Sequence, residues 1–245
     1  MLPASNTVVG VDFGAPRRAR DQRRKIVAIA AHAIADRRYR VDAIGMNERL
    51  LAKHPPGWSA KELLDELLTR TVRIVAFDFP FSVPDAGGQP PLKDKFQATF
   101  QMTLLGNAVL SRLWESRRYR ILPFPGGRGT GEVIEVYPGA TLRQMGLANY
   151  KSRPEEAIRL GTAACMGAGI TLDVDPRLRA VCCRYSSGGK TPDYDAADAF
   201  IALCTAILHA EGTCRMAIDG DALVKGSEGA IWVPRIACRS ALVPQ

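Results

Sequence analysis

Val8-Val9-Gly10-Val11-Asp12 is a β-branched run that stops on a carboxylate, and Phe13-Gly14-Ala15-Pro16 turns the chain sharply after it. Ile74-Val75-Ala76-Phe77-Asp78 repeats the figure, Val133-Ile134-Glu135-Val136 carries an acid inside a third apolar run, and a late helical segment holds Asp195 and Asp198. A strand bound for a core ordinarily excludes acids. An unpaired charge taken out of water costs several kcal/mol, on the order of what holds a domain folded. Acids that recur at such points need a cation or a proton-transfer role to offset that cost.

Outward from the first run, strand and helix patterns alternate. Residues 7–13 read as a strand, Ile26-Val27-Ala28-Ile29-Ala30 as a second, antiparallel to it through a long hairpin, and residues 39–44 as a weaker third. Ser59-Ala60-Lys61-Glu62 has the capping-box spacing and is followed by Leu63, Leu64, Leu67 and Leu68 at helical intervals. Residues 72–79 return to strand, predicted parallel to the first through that helical crossover. Beyond a Pro- and Gly-rich stretch at 80–91, a helix is expected over 93–118, with Phe96, Phe100, Leu104, Leu105, Val109, Leu110, Leu113 and Trp114 on its apolar face. The glycine-rich residues 126–131 lead into a strand at 132–137, helices follow at 139–147 and 154–167, and residues 168–190 read as irregular. Thr191-Pro192-Asp193 opens a final helix whose Ala, Phe, Ile and Leu content marks it as largely buried, with Asp193 its simplest N-cap. A last strand at 228–234 ends on Pro234. The pattern predicts a single α/β domain over residues 1–245. Its sheet is mixed, the first three strands antiparallel and the later ones parallel, with helices flanking it.

The 245 residues are 47% hydrophobic and 24% charged, which excludes a disordered chain, and no apolar run is long enough to span a membrane. Residues 1–7 lack the basic region and long apolar core of a signal peptide, so a cytoplasmic location and no membrane partner are expected. The six cysteines show no CxxC pair and read as structural or free thiols rather than a zinc site. The net charge of +8 favours a polyanionic partner. Arg17, Arg18, Arg20, Arg23, Arg24 and Lys25 follow the first acid, and Arg112, Arg117, Arg118, Arg120 and Arg128 precede Glu135. Either group alone fits a solvated basic turn. Together, beside acids at strand ends, they suggest that cations hold a phosphate backbone while the acids hold a metal.

Each acid has a plain structural alternative. Asp12 fits a turn cap, Glu135 fits a solvent-facing position, and Asp195 fits the positive end of a helix dipole. Asp78, between two phenylalanines, and Asp198, set deeper among alanines, fit such roles less well. On parallel neighbouring strands Asp12 and Asp78 fall at the same end of the sheet, where open α/β sheets place their ligands. Asp195 and Asp198, three apart, share one side of a helix. Oxygen ligands without a histidine cluster suit Mg2+ or Mn2+, since His32, His54 and His209 are scattered.

The ordered set Val9-Gly10-Val11-Asp12, Ala76-Phe77-Asp78-Phe79-Pro80-Phe81-Ser82-Val83-Pro84, Glu135-Val136-Tyr137-Pro138, Tyr150-Lys151, Asp195-Ala196-Ala197-Asp198 and Ile231-Trp232-Val233-Pro234 resembles the DUF429 family of predicted nucleases with a ribonuclease-H-like fold. The resemblance implies metal-dependent hydrolysis of nucleic-acid phosphodiester bonds. It places Asp12, Asp78 and Asp198 as catalytic metal ligands, Asp195 as a further ligand, and Glu135 as a further catalytic acid. The phosphate-contact candidates are Arg17, Arg18, Arg23, Arg24, Lys25 and Lys151. DNA or RNA is the expected partner, and the residues specify no oligomeric state. The chain departs from the family pattern where a long basic segment replaces its usual first turn. Two other classes fit parts of the chain: an actin- or sugar-kinase-like phosphate-binding protein, through Gly10-Val11-Asp12-Phe13-Gly14, and a non-catalytic nucleic-acid-binding module on the same scaffold. The first lacks a second phosphate loop; acids that never converge would mark the second.

Overall fold

Period-two alternation in the first strand divides the molecule into two layers. Val9, Val11 and Phe13 enter one apolar core, while Val8 enters the other, with Gly10 and Asp12 on its face. The structure is a computed structural model that describes residues 6–13, 26–43, 58–79, 81, 95–183, 195–216 and 231–235. Its elements run β1 (Thr7–Phe13), β2 (Ile26–Ala35), β3 (Arg38–Ala43), α1 (Ala60–Thr69), β4 (Ile74–Asp78), α2 (Lys95–Glu115), β5 (Tyr119–Ile121), β6 (Gly131–Val136) and α3 (Pro138–Gln144). After a 3-10 turn at Tyr150–Ser152 come α4 (Pro154–Gly167), β7 (Thr171–Val174), α5 (Pro176–Cys182), α6 (Asp195–Ala210), β8 (Cys214–Met216) and β9 (Ile231–Pro234).

One mixed sheet joins the strands in the order β7-β3-β2-β1-β4-β6-β9-β8, with β5 on β6. β1 pairs antiparallel with β2, and β2 with β3, whereas β1–β4, β4–β6 and β6–β9 are parallel. The crossover from β3 to β4 runs through α1. Its start is fixed by the capping box: the Glu62 amide donates to Ser59 Oγ at 3.2 Å, and the Ser59 amide to Glu62 Oε2 at 2.9 Å. Leu63 and Leu67 then fill the layer on that side, with α2 beside them. The opposite layer is built around α6, in which every residue from Ala196 to Leu208 is buried. A helix apolar all round belongs inside a domain. No helix among the described residues is long and apolar enough to cross a membrane.

Residues 168–190 are not wholly irregular. β7 adds to the edge of β3, and α5 follows it. The edge strand is only four residues long and alternates between exposed and half-buried positions, so pairing with β3, rather than any apolar pattern of its own, makes it a strand. α5 begins with Pro176 and an Asp175 cap that accepts from the Arg177 amide at 2.8 Å. β5 and β8, three residues each, are too short for periodicity to mark. On α2, Val109, Leu110 and Leu113 are buried as expected, but Leu104, Leu105 and Trp114 of the expected face are exposed, because the apolar stripe is wider than the layer it covers. Beyond that helix Arg117 takes φ 55°, the left-handed region in which helices commonly end on glycine. An L side chain there costs roughly 1–2 kcal/mol. The expected start of the last helix, Thr191-Pro192-Asp193, lies outside the described residues.

Candidate metal centre

Three elements distant in sequence deliver one carboxylate each. In the parallel ladder Asp12 of β1 is the direct neighbour of Asp78 of β4. Ile74 and Ala76 share the face of Asp78, and Val8 that of Asp12, so both acids stand on the side covered by α6. The helix crosses that face closely because β1 has a glycine beneath it. A Cβ on Gly10 would lie 2.2 Å from the Leu203 amide nitrogen and 2.4 Å from the Ala199 carbonyl oxygen. α6 starts over the two strand ends, which brings Asp198, in its first turn, down onto the pair.

Asp12, Asp78 and Asp198 each offer a carboxylate oxygen within 4.8 Å of the others, a group able to hold a metal ion. Asp12 and Asp198 are each 4% exposed, and Asp78 is half-buried. Asp12 Oδ2 and Asp198 Oδ1 are buried without a hydrogen-bond partner. Orphaned carboxylate oxygens are costly in a fold, and hard oxygen donors converging within one ion's reach are what a divalent cation of the magnesium class takes. The donor set therefore fits such an ion.

The electrostatics carry the same imprint. Burial first, then Asp195, Asp78 and Asp198, push the Asp12 carboxyl well above the usual range, with the Lys151 ammonium opposing. Asp78 is also raised, by burial, then Asp198 and last the charge of Glu135, while Lys151 and a hydrogen bond donated by Asp12 act the other way. Asp198 is pushed up to about 7 by burial, held back by Lys151 and by the Tyr150 hydroxyl that donates to it, and raised further by Asp195. Without a cation, the site keeps protons that isolated carboxylates would have lost.

Asp195 is half-buried one turn before Asp198 and stands outside the close group of three, its charge felt most at Asp12. Lys151 is exposed at the rim, its ammonium 5.9 Å from the centroid of the Tyr150 ring. Tyr150, whose hydroxyl donates to Asp198, has no role assigned from the sequence, where its one signal is its place beside Lys151. Arg17, Arg18, Arg23, Arg24 and Lys25 lie outside the described residues.

Glu135 does not join the group. Its register partner is Phe77, not Asp78, so it faces the opposite layer with Val133 and the phenylalanines of that core. There it is 7% exposed, accepts from the Phe81 amide, and has Oε2 buried without a partner; burial pushes it up to about 7. It is therefore neither the solvent-facing residue of the plain alternative nor a member of the three-acid group. The basic residues preceding Glu135 are also displaced from the acids. Arg118 and Arg120 flank the start of β5, which pairs with the first residues of β6, at the end of the sheet away from the carboxylates. Protein-family models, curated proteins and solved structures were compared with the chain, and none matches it.

Proposed function

We propose that the protein is a divalent-metal-dependent phosphodiesterase acting on nucleic acid, built on a ribonuclease-H-like scaffold of the DUF429 kind. One observation carries the reading: three carboxylates from β1, β4 and α6, two buried and one half-buried, converge within 4.8 Å, with oxygens of two of them left unpartnered. The scaffold reading is supported by the strand order β3-β2-β1-β4-β6, antiparallel in its first two ladders and parallel thereafter.

Asp12, Asp78 and Asp198 would hold Mg2+ or Mn2+, with Asp195 positioned to add a ligand from the same helix. A bound divalent ion supplies a lowered pKa for water and charge neutralisation at a phosphoryl group. The chain's own residues prepare the place. Tyr150 fixes the Asp198 carboxylate through its hydroxyl, and the start of α6 directs its positive dipole end at the acid cluster. Lys151, exposed at the rim, is positioned to meet a phosphate oxygen as a point charge. The apolar residues of α6 that cover this face keep water from the buried side of Asp12 and Asp78.

The test is cleavage of labelled single-stranded, branched and RNA–DNA hybrid substrates in Mn2+ by the purified chain and by Asp12→Asn. Metal-dependent cleavage that the variant loses is expected. Absence of cleavage on every substrate, with Mn2+ leaving the thermal stability of both proteins unchanged, sinks the reading.

A further inference from the structure

Six arginines gather at the end of the sheet opposite the carboxylates. Arg70 closes α1, Arg73 precedes β4, and Arg117, Arg118 and Arg120 line the passage from α2 through β5. The backbone ties these segments together: the Glu132 amide donates to the Arg73 carbonyl at 2.8 Å, and the Arg118 guanidinium to the Arg70 carbonyl at 3.0 Å. Arg128 belongs to the loop lying on them, since a Cβ on the next residue, Gly129, would be 2.0 Å from the Arg118 carbonyl carbon. All six arginines are exposed.

The group is under-neutralised and partly rigid. Among the described residues the carboxylates paired with it are Glu66, on Arg70, and Glu132, on Arg120 and His209. Glu211, also at this end, accepts from the Tyr39 hydroxyl at 2.5 Å. Arg73 and Arg118 are anchored instead to main-chain carbonyls, of Ala210 at 2.8 Å and of Arg70, which fix a guanidinium plane without cancelling its charge. A fixed fork of donors is the geometry that meets phosphate oxygens in pairs.

Arg117 adds an independent sign. It occupies a left-handed position, φ 55°, where glycine would be unstrained, and its guanidinium makes no hydrogen bond or ion pair among the described residues that would repay the strain. A side chain kept at a strained, exposed position points to a use outside the fold.

We propose that this arginine end binds the sugar–phosphate backbone of nucleic acid, as a surface separate from the carboxylate cluster. The proposal rests on the nucleic-acid reading above for the identity of the polyanion, but not on the metal chemistry. The two ends are separated by the span from Arg73 to Asp78, five residue steps or about 17 Å at ~3.3 Å per residue. At the ~3.4 Å rise per nucleotide of one duplex strand, that span corresponds to about five nucleotides.

Binding of a labelled single strand of about 30 nucleotides is followed by anisotropy across a salt series, in EDTA so that no cleavage intervenes. The proteins are the full chain, Arg117→Gly/Arg128→Gln, and the charge-matched control Arg159→Gln/Arg179→Gln on α4 and α5. The double variant is expected to bind roughly five- to tenfold more weakly at low salt, with the slope of log K against log salt reduced by about one to two. The control is expected to stay within about twofold of wild type. Arg117→Gly alone should raise the melting temperature while weakening binding, a combination that a purely structural arginine would not give. Equal losses in control and double variant, wild-type binding by the double variant, or tighter binding to phosphatidylserine vesicles than to the strand would each overturn the proposal. Failure of Mn2+-dependent cleavage alone would overturn the catalytic reading and leave this result standing.

Discussion

Replacing Asp198 by asparagine is expected to stabilise the metal-free protein at pH 8 while removing its response to a divalent cation. Burial dominates the perturbation of this carboxyl, and the Lys151 charge and the Tyr150 hydroxyl offset it only in part, so its pKa moves from 3.8 to about 7. A displacement of about 3 pH units, at ~1.4 kcal/mol each, corresponds to a contribution on the order of 4 kcal/mol. The folded-state pKa lies above the unfolded one, so the folded protein holds this proton more tightly. Its favourable contribution is complete below pH ~4 and is lost as pH rises through about 7. Asparagine carries no charge at either pH. Its amide oxygen can accept from Tyr150, and its NH2 can donate to the neighbouring carboxylates of Asp12 or Asp78.

Because the neighbouring acids share the same protons, about half of that figure, ~2 kcal/mol, is a reasonable net gain for the variant at pH 8. For a chain of this size each kcal/mol moves the melting temperature by roughly 2–4 °C, giving a rise of about 4–8 °C that shrinks toward zero by pH ~4. In wild type, a divalent ion at about a hundred times its Kd adds ~2.7 kcal/mol to stability, and in the variant it should add little. Thermal unfolding at pH 4, 6 and 8, in EDTA and in Mn2+, reads all of this. A variant no more stable than wild type at pH 8 in EDTA, or a Mn2+ increment of equal size in both proteins, would refute the reasoning.

Gly10→Ala places a methyl group against main-chain atoms of Leu203 and Ala199 that cannot move aside cheaply. The expected loss is about 3 kcal/mol or more, and an unchanged melting temperature would show that α6 does not sit on β1 as closely as described. Tyr150→Phe removes the hydroxyl donated to Asp198 and should cost about 1.5–3 kcal/mol at pH 8, while Mn2+ affinity by calorimetry falls less than in Asp12→Asn. Glu135→Gln removes an acid on the other face whose pKa is pushed up to about 7. It should stabilise the metal-free protein at pH 8 and leave the Mn2+ increment intact; loss of that increment would place Glu135 in the metal site after all.

The strand-end acids were legible because each sits in a run whose β-branched residues fix its extended form. Equal spacing from the start of a parallel ladder then makes Asp12 and Asp78 neighbours. Asp198 was legible as an acid among alanines in a helix too apolar to lie at the surface. The facing of Glu135 was not, because β6 is buried on both sides and Val133, Ile134 and Val136 are apolar whichever way they point. The location of the second arginine group was misread for a related reason. Those residues are close to Glu135 in sequence, but a strand carries the chain from one end of the sheet to the other, so neighbours across it separate by the strand's full length.

Stability alone gives no reason for the acid cluster. Asp12, Asp78, Asp195 and Asp198 lie close enough to raise one another's protonation, and the Lys151 ammonium opposes them at all three core acids. Fully ionised, Asp12, Asp78 and Asp198 set three negative charges against one ammonium. Protonation removes the repulsion, as the raised Asp198 does near neutral pH, but it leaves the orphaned oxygens of Asp12 and Asp198 without donors. Apolar side chains of similar size at these positions would make a more stable fold. A single divalent cation would balance the net charge of two that the three core acids and one ammonium leave, and would supply the missing partners.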